Sequence, residues 1–325
     1  MFVSTILALQ IFLYNNATAD QLIRAAMAAN YNLQFAESQR LTHELQQRYP
    51  DHPVGYLLEA EADWWQAQAD PTNKEIEKAY YAAQKSAVEH GSQALKENKY
   101  ARVELLSYLA SSYGSLARFQ VTRKSAYFSA LRAGMKALRN AREVYAIDPD
   151  YYDVYTGLGA YNYFTATMPG PIKPFAFLIG VHGDKELGLQ QLRQAMEKSR
   201  HSRTEAKIVY YSALLQENRY ADAFRLLEDL MKEFPDNFIF YHWTRSLFEV
   251  QHQTDAGIRY LDALAGRQMD RAPTLSKHAL LEEASLEHTA GRDNEAKQTL
   301  NRIQSIPGND RLVQSQMTEL EKKLN

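Results

Sequence analysis

The sequence predicts an all-α fold, a stack of about seven helical hairpins closed by one C-terminal capping helix. Three observations carry this. Pro and Gly are sparse, 10 and 14 in 325 residues, which favours long helices over a β-sandwich or barrel. A small residue precedes a helix-ending proline at one fixed offset: twelve positions separate Ser38 from Pro50, Ala137 from Pro149 and Ala223 from Pro235. Amphipathic segments also recur in pairs joined by short turns. No hairpin of this kind buries its apolar face alone, so neighbours must stack and fold together.

Composition narrows the function classes. A formal net charge of -2 and a pI near 6.5 give no basic field for nucleic acid. With no cysteine there are no disulfides, thiol nucleophiles, or Cys-based zinc or iron–sulfur sites. The 21 Tyr suit a helical array, where they serve both helix packing and a binding surface.

At the N-terminus, FVSTILALQIFLY is apolar, and Ala17-Thr18-Ala19-Asp20 has the small-x-small form of a signal-peptidase site. Residues 1–19 are therefore read as a signal peptide and 20–325 as the array. This makes the protein periplasmic or secreted if the signal is genuine, and cytoplasmic otherwise. No Lys or Arg precedes the run, and its other reading is a first amphipathic helix packed on the array. A run of about 13 apolar residues falls short of the ~20 that span a bilayer, and no second run exists. No stable membrane span is expected in the mature chain.

In chain order, a short helix reads QLIRAAMAA from Asp20 to Ala29, and FAESQRLTHELQQRYPDHP carries the second, closed by Pro50. VGYLLEAEADWWQAQAD opens the next, with Tyr56, Ala60 and Trp64 on one face. Asp70-Pro71-Thr72-Asn73 is a turn and N-cap before a helix from Lys74 to about Leu95. Two long helices follow at about Ala101–Gln120 and Lys124–Ala146, then one over YYDVYTGLGAYNYF and one over KELGLQQLRQA. Glu205–Gln216 pairs with Tyr220–Glu233, Phe238–Gln251 with Asp255–Ala265, and Lys277–Ala290 with Asn294–Gln304. The segment Asp310–Leu324 places Leu312, Met317, Leu320 and Leu324 on one side, as a solenoid cap requires.

Tyr155-x2-Leu158-Gly159-x2-Asn162, with Tyr161 and Tyr163, resembles the first helix of a tetratricopeptide repeat. Gly183-Asp184, Gly188, Leu192 and Ala195 resemble its second. The chain is accordingly read as a tetratricopeptide-like α-solenoid. Pro149 to Pro235 spans 86 residues, 18 more than two repeats of roughly 34, which places a proline-rich insertion at 165–182. More narrowly, YNYF, the P-x-P-x-x-P link, FAFLIGVHGD and KELGLQQL across 151–195 resemble the tetratricopeptide repeat protein 39 and inclusion-body-clearance family. The chain departs from it in its possible export signal, its length and Val181-His182 in the turn. That resemblance implies a non-catalytic adaptor-like fold.

The chemistry of catalysis is missing from the motifs. Gly157-Leu158-Gly159 lies in a helical pattern with no preceding strand, so small residues there let helices approach. No two His flank a Glu at HExxH spacing, and no Ser sits in G-x-S-x-G. Glu59, Glu61 and Asp63 alternate and are expected to spread round their helix. No catalytic residue, metal site or cofactor is expected. Binding candidates are Asp153 and Tyr163 on the expected concave face, near Thr156 and Ala160; their other reading is helix packing. Thr156 and Ala160 stand where a carboxylate clamp would need Lys, Asn or Arg.

The insertion supplies Pro169, Pro171, Phe175, Phe177 and Ile179, which either plug a groove or dock a partner or membrane surface. Arg118, Arg123, Lys124, Arg132, Lys136, Arg139 and Arg142 form a basic stretch, read as a solvated face or as a surface for an acidic partner. The expected function is a protein–protein interaction scaffold of the bacterial cell envelope with a protein or peptide as partner. The alternative is a groove that binds a small ligand such as a glycan.

Overall fold

The computed structural model describes residues 13–124, 126–168 and 182–324. Among them are fifteen α-helices, two 3-10 turns and no strand. The helices are α1 (Ala17–Tyr31), α2 (Phe35–Arg48), α3 (Val54–Ala69), α4 (Lys74–Glu97), α5 (Arg102–Lys124), α6 (Tyr127–Ile147), α7 (Tyr155–Ala166) and α8 (Lys185–Lys198). They continue as α9 (Arg203–Gln216), α10 (Tyr220–Glu233), α11 (Ile239–Val250), α12 (Thr254–Gln268), α13 (Pro273–Thr289), α14 (Asp293–Ser305) and α15 (Arg311–Leu324). The all-α expectation holds: within each of the two units described below the helices pack as consecutive hairpins, and all but α7 and α8 are joined by short connections.

The chain groups into two compact units, Met1–Gln216 and Glu217–Asn325, with the boundary between α9 and α10. In the first unit, one apolar cluster joins Leu13, Ile23, Leu41, Leu45 and Leu58, and another joins Leu106, Val144, Tyr155, Leu158 and Ala195. In the second, Leu261, Leu280, Leu300, Met317 and Leu320 share one core. The last three helices meet there, so α15 covers the apolar end of its unit through Val313, Met317 and Leu320, as expected of a cap.

Local chemistry sets the ends. Asn73 and Asp184 accept from the first-turn amides of α4 and α8, at 3.1 Å from Glu75 and 2.9 Å from Leu187. Pro273 opens α13 at the position where a missing N–H costs nothing. The α5 helix runs four residues beyond its expected end because nothing in VTRK breaks it.

The α7–α8 crossing explains the small residues of both segments. A Cβ on Gly188 would stand 2.5 Å from the Tyr163 backbone nitrogen, and one on Gly159 would stand 2.9 Å from the Gly188 carbonyl. Gly157 meets nothing within 4 Å. Only Gly159 of the Gly-Leu-Gly pair therefore mediates close approach.

Residues 1–12 of the expected leader lie outside the described residues, as do 169–181 of the insertion. Residues 13–19 form a 3-10 turn and the first turn of α1, which Asn16 caps by accepting from Thr18 and Ala19. Leu13 and Ala19 are buried. No described helix is long and apolar enough to cross a membrane.

Candidate functional site

The N-terminal unit holds a cleft of about 110 Å³. Five elements build it. The α1 helix gives Asn30 and Tyr31, α3 gives Glu61 and Trp65, and α5 gives Ser107, Tyr108 and Ser111. The segment before α7 gives Tyr151 and Asp153, and the α8–α9 region gives His201, Ser202 and Glu205. Ile23, Met27, Val54, Leu57 and Leu58 form the apolar floor.

Two ionic clusters fix its rim. In the first, Asp20 of α1 accepts from Arg24 at 2.7 Å, Arg200 at 3.0 Å and His201 at 2.8 Å. Burial opposes ionisation of this carboxyl, but the bonds from Arg200, Arg24 and His201 outweigh it and hold the pKa far below the usual range. The same α8–α9 turn is gripped from its other side. Asp153 Oδ1 accepts from the His201 and Ser202 amides at 2.8 and 2.9 Å, a carboxylate set just before the N-terminus of α9. Thr156 donates to the Ser202 hydroxyl at 3.0 Å.

In the second cluster, Arg118 of α5 bridges Glu205 and, at 3.3 Å, Glu61. Its guanidinium lies 4.1 Å over the Trp64 ring. Burial opposes the arginine's charge, yet Glu205 and Glu61 together keep its pKa raised. Glu205 itself is raised, by burial first, with Arg118 acting against it and Glu61 adding to it. Arg118 Nε is buried without a hydrogen-bond partner.

Beside the cleft the backbone N–H of Leu13 donates at 2.8 Å to Glu104, a carboxylate with no solvent exposure. His52, equally enclosed, accepts from the Val54 amide through Nδ1 at 3.2 Å, which puts its proton on Nε2. Burial pushes its pKa down to about 3, so the ring is neutral and its 3.9 Å approach to Glu104 is not an ion pair.

Of the sequence candidates, Asp153 is in the cleft and Tyr163 is not. Tyr163 is wholly buried, its hydroxyl donating to the Ala213 carbonyl at 3.0 Å and its ring edge-on to Phe164. Its place is in helix packing. Pro169, Pro171, Phe175, Phe177 and Ile179 fall outside the described residues.

The sequence reading missed Tyr31, Trp65, Arg118, His201 and Glu205 as a group. The available signal was an arginine at the end of the apolar and small-residue run 105–117 of α5, which needs an acid from elsewhere once buried. The expectation for the α3 acids is corrected in part. Glu59 and Asp63, four apart, share a face; burial and then Glu59 raise the Asp63 pKa to about 7. Among the described residues no group of three or more His, Asp or Glu is placed to hold a metal ion.

The second unit has a cavity of about 140 Å³ beside α13 and α15. Its polar groups are committed locally: Lys277 donates to the Gly308 carbonyl, and Asp310 caps α15 through Leu312 and Val313 at 2.9 and 3.0 Å. The cleft of the first unit is the one where charged groups distant in sequence converge.

No family model and no curated protein matches the chain, so the narrower likeness of 151–195 to the tetratricopeptide repeat protein 39 family gains no support. Among solved structures the chain is similar to a tetratricopeptide repeat protein from Parabacteroides merdae ATCC 43184. That match has 12% identity and a TM-score of 0.40, covering 93% of this chain and 98% of that one. It is also similar to the P58(IPK) TPR domain, at 14% identity and a TM-score of 0.23, covering 94% and 98%. Both likenesses concern the helical-repeat architecture alone.

Proposed function

We propose that the chain is a non-catalytic protein-interaction scaffold and that the cleft of its N-terminal unit receives a basic side chain of a partner protein or peptide. One observation carries this. Glu61, Asp153 and Glu205 line the cleft together with Tyr31, Trp65, Tyr108 and Tyr151; no Lys or Arg is among the lining residues, and the single Arg118 is shared between Glu61 and Glu205. An arginine or lysine entering there meets carboxylates for its charge and aromatic faces for its stem. The size supports a side chain over a sugar chain. A volume of about 110 Å³ is well below the roughly 300 Å³ at which small-molecule sites begin. The placement of the scaffold in the bacterial cell envelope rests on the apolar run and Ala17-Thr18-Ala19 alone, while the burial of Leu13 and Ala19 in the folded unit favours a retained N-terminal segment.

A photo-crosslinking amino acid at Ser111, which is exposed at the cleft, tests the reading in cells. The expected result is a discrete protein adduct at Ser111 that disappears in Glu61→Gln/Glu205→Gln and is absent when the probe stands at exposed Arg40. No adduct, or the same adduct from Arg40, overturns the proposal.

A further inference from the structure

A second surface lies apart from the cleft, on the outer face of α6. No Asp or Glu occurs between Glu104 and Glu143, a stretch that covers most of α5 and α6. The cations of α5 are nonetheless engaged: Arg118 with Glu61 and Glu205, Arg123 with the Pro71 carbonyl at 2.8 Å, and Lys124 with Glu77 at 2.7 Å. Those of α6 are different. Arg132, Lys136, Arg139 and Arg142 are all exposed, and none of them makes an ion pair among the described residues. Their nearest aromatic contacts are Lys136 over Tyr113 at 4.9 Å and Arg142 over Tyr161 at 5.8 Å.

The spacing aligns them. Phe128, Arg132, Met135, Arg139 and Arg142 follow one another by four, three, four and three, which keeps them on a single helix face. The opposite face, with Ala130, Ala133, Asn140, Ala141 and Val144, is buried. The stripe runs for roughly 21 Å at 1.5 Å per residue. Apolar side chains stand among the charges: Phe128 is 91% exposed, and Met135 and Tyr145 are about half exposed.

We propose that this face of α6 docks on an anionic phospholipid surface. Acidic headgroups complement four cations that have no carboxylate partner among the described residues, and the layer beneath takes Phe128 and Met135 out of water. A nucleic acid or an acidic protein would satisfy the charges and leave Phe128 solvated, so the aromatic at the head of the stripe favours lipid. The attachment is peripheral, since no described helix is long and apolar enough to span.

The test is co-sedimentation of the full chain with phosphatidylcholine vesicles, with and without phosphatidylglycerol. Binding is expected only with phosphatidylglycerol, and should fall steeply as salt is raised. Arg132→Gln/Arg139→Gln should weaken it about 25-fold, at about fivefold per cation. Phe128→Ser should weaken it further at unchanged charge. All three positions are exposed, and circular dichroism of each variant confirms that the helices remain.

Failure to bind anionic vesicles at low salt overturns the proposal, as does binding that the folded variants leave unchanged. Tighter binding to polyglutamate or duplex DNA than to vesicles, insensitive to Phe128→Ser, assigns the stripe to an acidic macromolecule and overturns it equally.

Discussion

From α10 to α15, packing stays local. The ion pair from Arg302 to Asp262 spans 40 residues, that from Arg245 to Glu282 spans 37, and one apolar core runs through the helices beside them. The N-terminal unit is tied differently. Asp20 in α1 holds Arg200 and His201, some 180 residues away, Arg118 reaches 87 residues to Glu205, and the Leu13 amide reaches 91 to Glu104. A stack whose repeats touch only their neighbours has a stability close to a sum over repeats. The second unit fits that description. The first does not, because bonds from α1 to the α8–α9 turn and from α5 to α9 make distant hairpins depend on one another.

The largest expected effect sharpens this contrast. Arg118→Met strands Glu61 and Glu205 beside each other and should cost about 3 kcal/mol. Hydrogen exchange should then show peptides from several hairpins of residues 17–216 losing protection together, with 220–324 unchanged. The matched change in the second unit, Arg292→Met, breaks an exposed pair with Asp255 and should leave exchange as it was. Loss confined to α5 and α9 would mean that the N-terminal unit is as local as the other.

Next comes the close crossing in α7 and α8. Gly188→Ala sets a methyl against the Tyr163 backbone, which cannot move aside, and should cost about 2 kcal/mol in urea denaturation. Gly257→Ala in the second unit meets Leu286 Cδ2 at 2.7 Å, which can rotate aside, but also Phe248 Cβ at 2.8 Å, which is tied to its backbone, so it should cost a comparable amount. Gly157→Ala, with nothing within 4 Å, should stabilise by up to about 1 kcal/mol through helix propensity.

A pH titration separates the units by sign. Asp20 has a folded pKa far below its ordinary 3.8, so its contribution is complete above about pH 4 and fades as pH falls further. Glu283 in the second unit is raised from 4.5 to about 7, by burial first, with Arg302 opposing. Its folded form holds a proton that the unfolded chain has released, so it lowers stability progressively as pH rises from about 4.5 to 7. Asp20→Asn should therefore cost about 1–2 kcal/mol at pH 7 and blunt the acid loss. Glu283→Gln should stabilise the second unit at pH 7.5, and stabilise it much less at pH 4.5. Equal effects at both pH values would show that Glu283 stays ionised.

The smallest effect concerns a single bond. Tyr163→Phe removes the hydroxyl that donates to Ala213 and should cost about 1 kcal/mol, with no change in partner adduct at Ser111. A change in the adduct would tie this packing residue to the cleft.

Much of the fold was legible because helix ends and helix faces are written locally. Pro50, Pro149 and Pro235 each follow a helix closely, and Asn73 and Asp184 cap the helices they precede. The tyrosines were harder. Tyr155 and Tyr163 lie eight apart on α7 and both are buried, and helical periodicity alone could not decide between groove and packing for Tyr163. Asp153 did reach the cleft, although its bonds go to the backbone of the α8–α9 turn.

The sequence by itself determined the helices, their order and the tight α7–α8 contact, since propensity, capping and small-residue spacing act over a few residues. Only the tertiary structure decided which charges meet. Asp20, Arg118, Glu205 and His201 are unremarkable along the chain; they become a site because folding brings α1, α3, α5 and the α8–α9 turn around one cleft. The same holds in reverse for α6. Its cations look like those of α5 in the sequence, and packing alone gave partners to one set and left the other facing solvent.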